Sequence, residues 1–131
     1  MSAAVLKLSP RIGRPWAGGC YSGLVDDHHL IAGPLMVEVC DWATATAWAR
    51  GLVIAGRSDF SLPTLVELAH LGATFPHLFR PEAYWSCQPL PSGPDIWVHH
   101  FVHGIGAAAW GRIYPCHAIA VRRTRNSEFP T

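Results

Sequence analysis

An α+β fold is predicted by three features of the chain. These are an Ala-rich helical stretch, a shorter helix opened by proline, and a run of strand-like segments after them. Helices followed by antiparallel strands make the α+β order, not the alternating order of a parallel sheet. The 131 residues suit one domain with a sizeable core, and half of them are apolar while 15% are charged. That balance excludes a disordered chain. Six tryptophans each need a large buried pocket or a place on a contact surface.

The elements follow in order. Leu6 to Trp16 carries two prolines and a glycine and reads as an extended arm. Gly18 and Gly19 introduce a short strand from Cys20 to Val25. Asp26–Asp27 form a turn, and His28 to Ile31 returns, closed by Gly33–Pro34. Asp41 is a favourable N-cap for a helix from Trp42 to about Ile54, which Gly56 ends. Trp42, Ala45, Ala49 and Leu52 recur at helical spacing and give it one apolar face, with Trp48 off that stripe. In the second helix Pro63 stands in the first turn, where a missing N–H costs nothing. Leu65, Leu68 and Leu71 mark its buried side, Gly72 is its expected stop, and Glu67 is placed to satisfy backbone donors at its start.

The remainder is β. Tyr84–Cys87, Ile96–Val102, Ala107–Trp110 and His117–Arg122 read as strands, with Gln88–Asp95 a loop, 103–106 a turn and Pro115 an interruption. Tyr84 and Trp85 point to opposite faces of their strand. One belongs to the core and the other to a second packing layer.

Several function classes are disfavoured at this stage. A net charge of +1 supplies no long-range attraction to nucleic acid or an anionic membrane. Arg122, Arg123 and Arg125 form the one basic cluster, read as a solvated C-terminus. No stretch reaches the ~18–20 apolar residues of a membrane span, and Met1 to Pro10 lacks the apolar core of a signal peptide. Cys20, Cys40, Cys87 and Cys116 contain no CxxC pair, which argues against a zinc ribbon or a thioredoxin-type motif. Free, mostly buried thiols are expected, with any pairing left open. His99 and His103 share a strand face but stand roughly 13 Å apart, too far for one zinc ion. His28 and His29 face opposite ways, so no metal is expected. GxSxG, HExxH and phosphate-loop patterns are missing from the sequence.

One series of residues carries a family likeness. Asp59–Phe60–Ser61–Leu62–Pro63–Thr64 with Glu67–Leu68, then Tyr84–Trp85–Ser86–Cys87, Ile96–Trp97, Phe101 to Gly104, and Ala120–Val121–Arg122 occur in that order. Together they resemble the DUF1566 family, which includes the C-terminal domain of a Legionella collagen-like adhesin. Ile12–Gly13, Trp16 and Gly18 to Gly23 look like the opening of phage- and prophage-encoded members. The chain departs from the pattern where Phe60 and Ser61 replace Trp-Arg, Cys87 replaces Ser, and Ala120 stands at a frequent Cys. An ion pair by that Arg and a family-type disulfide at Ala120 are therefore not expected.

The resemblance implies a C-type-lectin-like fold, with two helices flanking a small twisted antiparallel sheet and loops displayed on one side. It divides the chain into an arm (1–16), one domain (17–125) and a tail (126–131). Calcium, the usual lectin cofactor, is not expected, because Gln88–Pro89 is followed by Leu90 and no WND occurs. The loop residues Gln88, Asp95, His103, Trp110, Arg112 and Tyr114 are the candidate ligand- or partner-binding set, since aromatic faces stack on sugar rings or partner side chains. No catalytic residue and no cofactor are assigned. By family analogy the expected role is a non-enzymatic virion-associated protein of a phage tail fibre, tail tip or capsid surface. It would bind a host receptor or another virion protein and assemble as a homo-oligomer, a trimer by analogy. The alternatives are a bacterial adhesin module for polysaccharide and an enzyme of the formylglycine-generating type using Cys87 and Cys116.

Overall fold

The structure is a computed structural model that describes residues 11–16, 18–102 and 106–125. In chain order it contains β1 (Pro15–Trp16), β2 (Gly19–Val25), β3 (His28–Leu35), α1 (Trp42–Arg50), α2 (Leu65–Thr74), β4 (Ala83–Pro89), β5 (Ile96–His100), β6 (Gly106–Trp110) and β7 (Ile119–Arg125). The architecture is α+β, with two antiparallel sheets ordered β1-β2-β3-β7 and β4-β5-β6. Residues 116–118 join them. His117 bridges Tyr84 in parallel, its N–H donating to Ala83 O and its carbonyl accepting from Trp85, both at 3.0 Å. The chain then continues as β7 beside β3.

The alternation of β4 and β7 explains the layering. Side chains on successive strand residues point to opposite faces. Ala118 and Ala120 enter one cluster with Ala45, Ala49, Phe60, Leu62, Trp85, Ile96 and Val98. Ile119 and Val121 enter a second with Val25, Leu30, Leu68, Leu71 and Tyr84. Ala118 and Ala120 thus share a cluster with the alanines of α1, while Ile119 and Val121 share one with the leucines of α2. Tyr84 and Trp85 are both buried, one in each cluster, as their opposite orientation predicts. Two indole N–H groups at the first cluster are satisfied: Trp85 donates to Cys40 O at 2.8 Å and Trp42 to Ser86 O at 2.9 Å.

Both helices begin as their caps dictate and end elsewhere than expected. Asp41 caps α1 by accepting from Thr44 N at 2.8 Å, and the Thr44 side chain together with this backbone bond lowers its carboxyl from the ordinary value. The helix stops at Gly51 rather than near Ile54. Gly56, with φ at 76°, instead turns a tight loop closed by reciprocal bonds between Ile54 and Arg57. Trp48, off the predicted stripe, still packs against the first cluster. In α2 Thr64 and Glu67 form a reciprocal capping box. Gly72 does not stop that helix, which runs on to Thr74. Its role is space: a Cβ there would lie 2.5 Å from Cε1 of Phe101. That ring cannot easily retreat, being stacked on Phe79 at 4.3 Å.

Three further expectations change. The described part of the arm folds back on its own sheet: Pro15–Trp16 pairs with β2, and Gly13 N donates to Tyr21 O at 2.8 Å. Residues 1–10 lie outside the described residues. β3 passes through Gly33–Pro34 to Leu35, because Gly33 lets the Phe60 ring approach where a Cβ would lie 2.8 Å from it. The basic cluster is not a solvated end. Arg122 is buried and ion-paired with Asp59, Arg123 joins the α2 start, and only Arg125 is exposed.

Candidate functional site

Three of the six predicted residues converge. Asp95 enters β5, Trp110 closes β6, and Tyr114 lies in the loop that follows. With Ala109 and Gly111 they line a groove of about 570 Å³. The rings of Trp110 and Tyr114 meet edge-on, with centroids 6.0 Å apart and an interplanar angle of 64°. Gly111 permits this closeness, since a Cβ there would stand 3.3 Å from the Tyr114 ring. β5–β6 pairing fixes the register by placing Ile96 opposite Trp110, which brings Asp95 beside Gly111. A groove of this make-up offers two π faces and one carboxylate acceptor.

The others serve different ends. Arg112 Nε donates to Pro94 O at 2.6 Å, and its guanidinium lies 5.0 Å from the Trp42 ring centroid. It clamps the 90–95 loop and the start of α1 rather than the groove. Gln88 accepts from Leu65 N at 2.7 Å, so it caps α2. His103 lies outside the described residues.

A second depression shares the Trp110 wall. It is a crevice of about 240 Å³ lined by Val39, Glu82, His100, Pro115, Cys116 and His117 among others. His117 Nε2 and Glu82 Oε2 stand 2.6 Å apart, and the His117 ring stacks on Tyr84 at 5.1 Å. Sequence reasoning missed this pair because 35 positions separate it, and only the parallel bridge of His117 to Tyr84 joins them. Among the described residues no three His, Cys, Asp or Glu side chains gather closely enough to share a metal ion, and no helix is long and apolar enough to cross a membrane.

The four cysteines are free thiols: Cys116 is buried, Cys20 and Cys40 are half-buried, and Cys87 is exposed. Burial pushes the Cys116 thiol up to about 12, with Cys40 adding to the effect; the Cys87 thiol is also raised, by desolvation from the chain packed around it although its surface remains exposed. Both thiols are therefore protonated near neutrality and weak as nucleophiles. Across the ladder Cys116 faces Cys40, not Cys87.

Beside Tyr114 in the chain, Ile113 is 86% exposed, and Val37, on the segment before α1, is 96% exposed. They ride on two segments tied together by Cys40 and Cys116 and by the bond from Trp42 N to Arg112 O at 3.0 Å. No protein-family model matches the chain, and no curated protein matches it significantly.

Proposed function

We propose that this chain is a non-enzymatic recognition module. In this reading it is a virion-associated protein of a phage tail fibre, tail tip or capsid surface, binding a host receptor or another virion protein. The observation that carries the proposal is the convergence of Asp95, Trp110 and Tyr114 on one groove. Loops held by a strand scaffold are where recognition residues concentrate, and aromatic anchors dominate contact energetics. Two helices on either side of antiparallel strands support the finer C-type-lectin-like reading, which rests on the DUF1566 resemblance and is an argument by analogy.

Electron cryo-microscopy of the particle that copurifies with the chain tests this. Density on a tail or capsid with the Tyr114 end facing outward or onto a neighbour is the expected result. A free, unassembled chain overturns the virion role. The trimer proposed by analogy predicts a denaturation midpoint that rises with protein concentration, and a constant midpoint refutes it.

The groove's chemistry favours one second reading, an adhesin module for polysaccharide. A pyranose stacks on an indole or phenol face while a carboxylate accepts its hydroxyls. Binding on a glycan array that Trp110→Ala abolishes would select it. The formylglycine-type alternative is weakened by the raised Cys87 and Cys116 thiols and by their lack of cross-strand pairing.

A further inference from the structure

Cys40 and Cys116 are directly opposed in an isolated antiparallel bridge and exchange both backbone bonds, each N–H donating to the other's carbonyl at 3.0 Å. Such a pair holds its Cα atoms about 5.5 Å apart, inside the span of about 4.4–6.8 Å that disulfides bridge, and a local shift of about 1 Å brings the Cβ atoms into bonding range. Opposed side chains also leave the same face of the ladder, and here both sulfurs turn towards the first core cluster. Cys40 Sγ is parked on Met36 Sδ at 3.3 Å, a weak contact that a side-chain rotation releases. Cys116 lines the crevice beside Trp110, which gives a small reagent a way in. Cys20 and Cys87 lie on β2 and β4, strands of different sheets.

We infer that Cys40 and Cys116 form a dithiol modification site that closes to a disulfide when the chain meets a low-molecular-weight disulfide such as oxidised glutathione. The Cys40 thiolate attacks one sulfur of the reagent and expels one glutathione thiolate. The Cys116 thiolate then attacks the Cys40 sulfur of the mixed disulfide and expels the second. The protein loses two protons and two electrons, and the reagent takes up both to become two molecules of glutathione. The bridge covalently ties the segment before α1 to the strand that enters β7. Together with the Trp42–Arg112 bond it brackets residues 112–116, so it secures the loop that carries Tyr114. Because both thiols are elevated, the exchange is slow at neutral pH and quickens as rising pH frees the thiolates.

The test treats the full chain with oxidised glutathione at mildly alkaline pH, then counts free thiols in denaturant and maps the bridged peptides. The expected result is a fall from four thiols to two, a mass lower by two hydrogens, and a single Cys40–Cys116 peptide. The denaturation midpoint should rise by several degrees and return on reduction. Four remaining thiols, a bridge through Cys20 or Cys87, or glutathione retained on Cys40 overturns the inference. Cys40→Ser should abolish the bridge and the midpoint shift. Should that variant fold poorly, the double variant Cys20→Ser/Cys87→Ser decides, because it must still lose both remaining thiols to one bridge.

Discussion

At the start of α2 a buried carboxylate is fully answered, whereas at the Tyr114 end apolar groups face solvent unanswered. Glu67 is 1% exposed and accepts from Thr64 N at 2.8 Å, from Arg123 through Nε at 2.6 Å and Nη2 at 2.7 Å, and from His28 Nε2 at 2.8 Å. Arg123 reaches further, to Ser61 Oγ and Leu62 O. These bonds knit β3, β7, the 59–62 segment and α2 into one unit. At the Tyr114 end the reverse holds: Ile113, Tyr114 and, on the paired segment before α1, Val37 and Val39 are exposed. Satisfied buried charge makes a fold specific, and exposed anchored aromatics leave a surface free to bind. The comparison separates where stability is stored from where recognition can occur.

The sharpest way to break this contrast is to empty the network. Glu67→Ala should cost about 3 kcal/mol or more in a denaturant titration, because it removes the α2 capping carboxylate and leaves the Arg123 guanidinium without its buried ion-pair partner. A loss below about 1 kcal/mol would show the network to be peripheral. A smaller effect is expected at Gly72→Ala. Helix propensity alone would stabilise it by about 1 kcal/mol, but the Phe101 ring occupies the site. A net loss of about 1 kcal/mol is expected, and a gain would mean that the ring moves aside.

Acid gives a third handle. Burial acts to raise the Glu67 carboxyl, but the bonds from Arg123, the Thr64 backbone and His28 outweigh it and hold it below its ordinary 4.5. A depressed carboxyl lends stability that is complete above that ordinary value and disappears as pH falls through the folded one. Stability should therefore decline below about pH 4.5, and Glu67→Gln should flatten that part of the profile. An unchanged profile would assign the acid sensitivity to other carboxylates. The smallest stability effect belongs to Tyr114→Ala. At 58% exposed this ring should cost less than about 0.5 kcal/mol on removal, while binding to the particle's partner or receptor is lost. A large loss of stability would place Tyr114 in the scaffold rather than the recognition surface.

The local rules were legible in advance. Asp41 and the Thr64–Glu67 box announced both helix starts, the alternation of Tyr84 and Trp85 announced two packing layers, and the Asp26–Asp27 turn announced the β2–β3 hairpin. The ends of helices were not. Gly56 and Gly72 look like stops, yet one turns a later loop and the other makes room for a ring 29 positions away. Half of the candidate site was legible too, since Asp95, Trp110 and Tyr114 sit near one hairpin. The anchoring of Gln88 and Arg112 was not legible, because their partners, Leu65 N and the Trp42 ring, are distant in sequence.

The sequence by itself determined composition, caps, turns and strand alternation, because these depend on residues a few positions apart. Only the tertiary structure decided that Arg122 and Arg123 are internal ties, that His117 meets Glu82, and that Cys116 faces Cys40. Each of those pairs is created when residues 116–125 thread between the two sheets, and a contact that closes a long loop leaves no periodic trace in the chain.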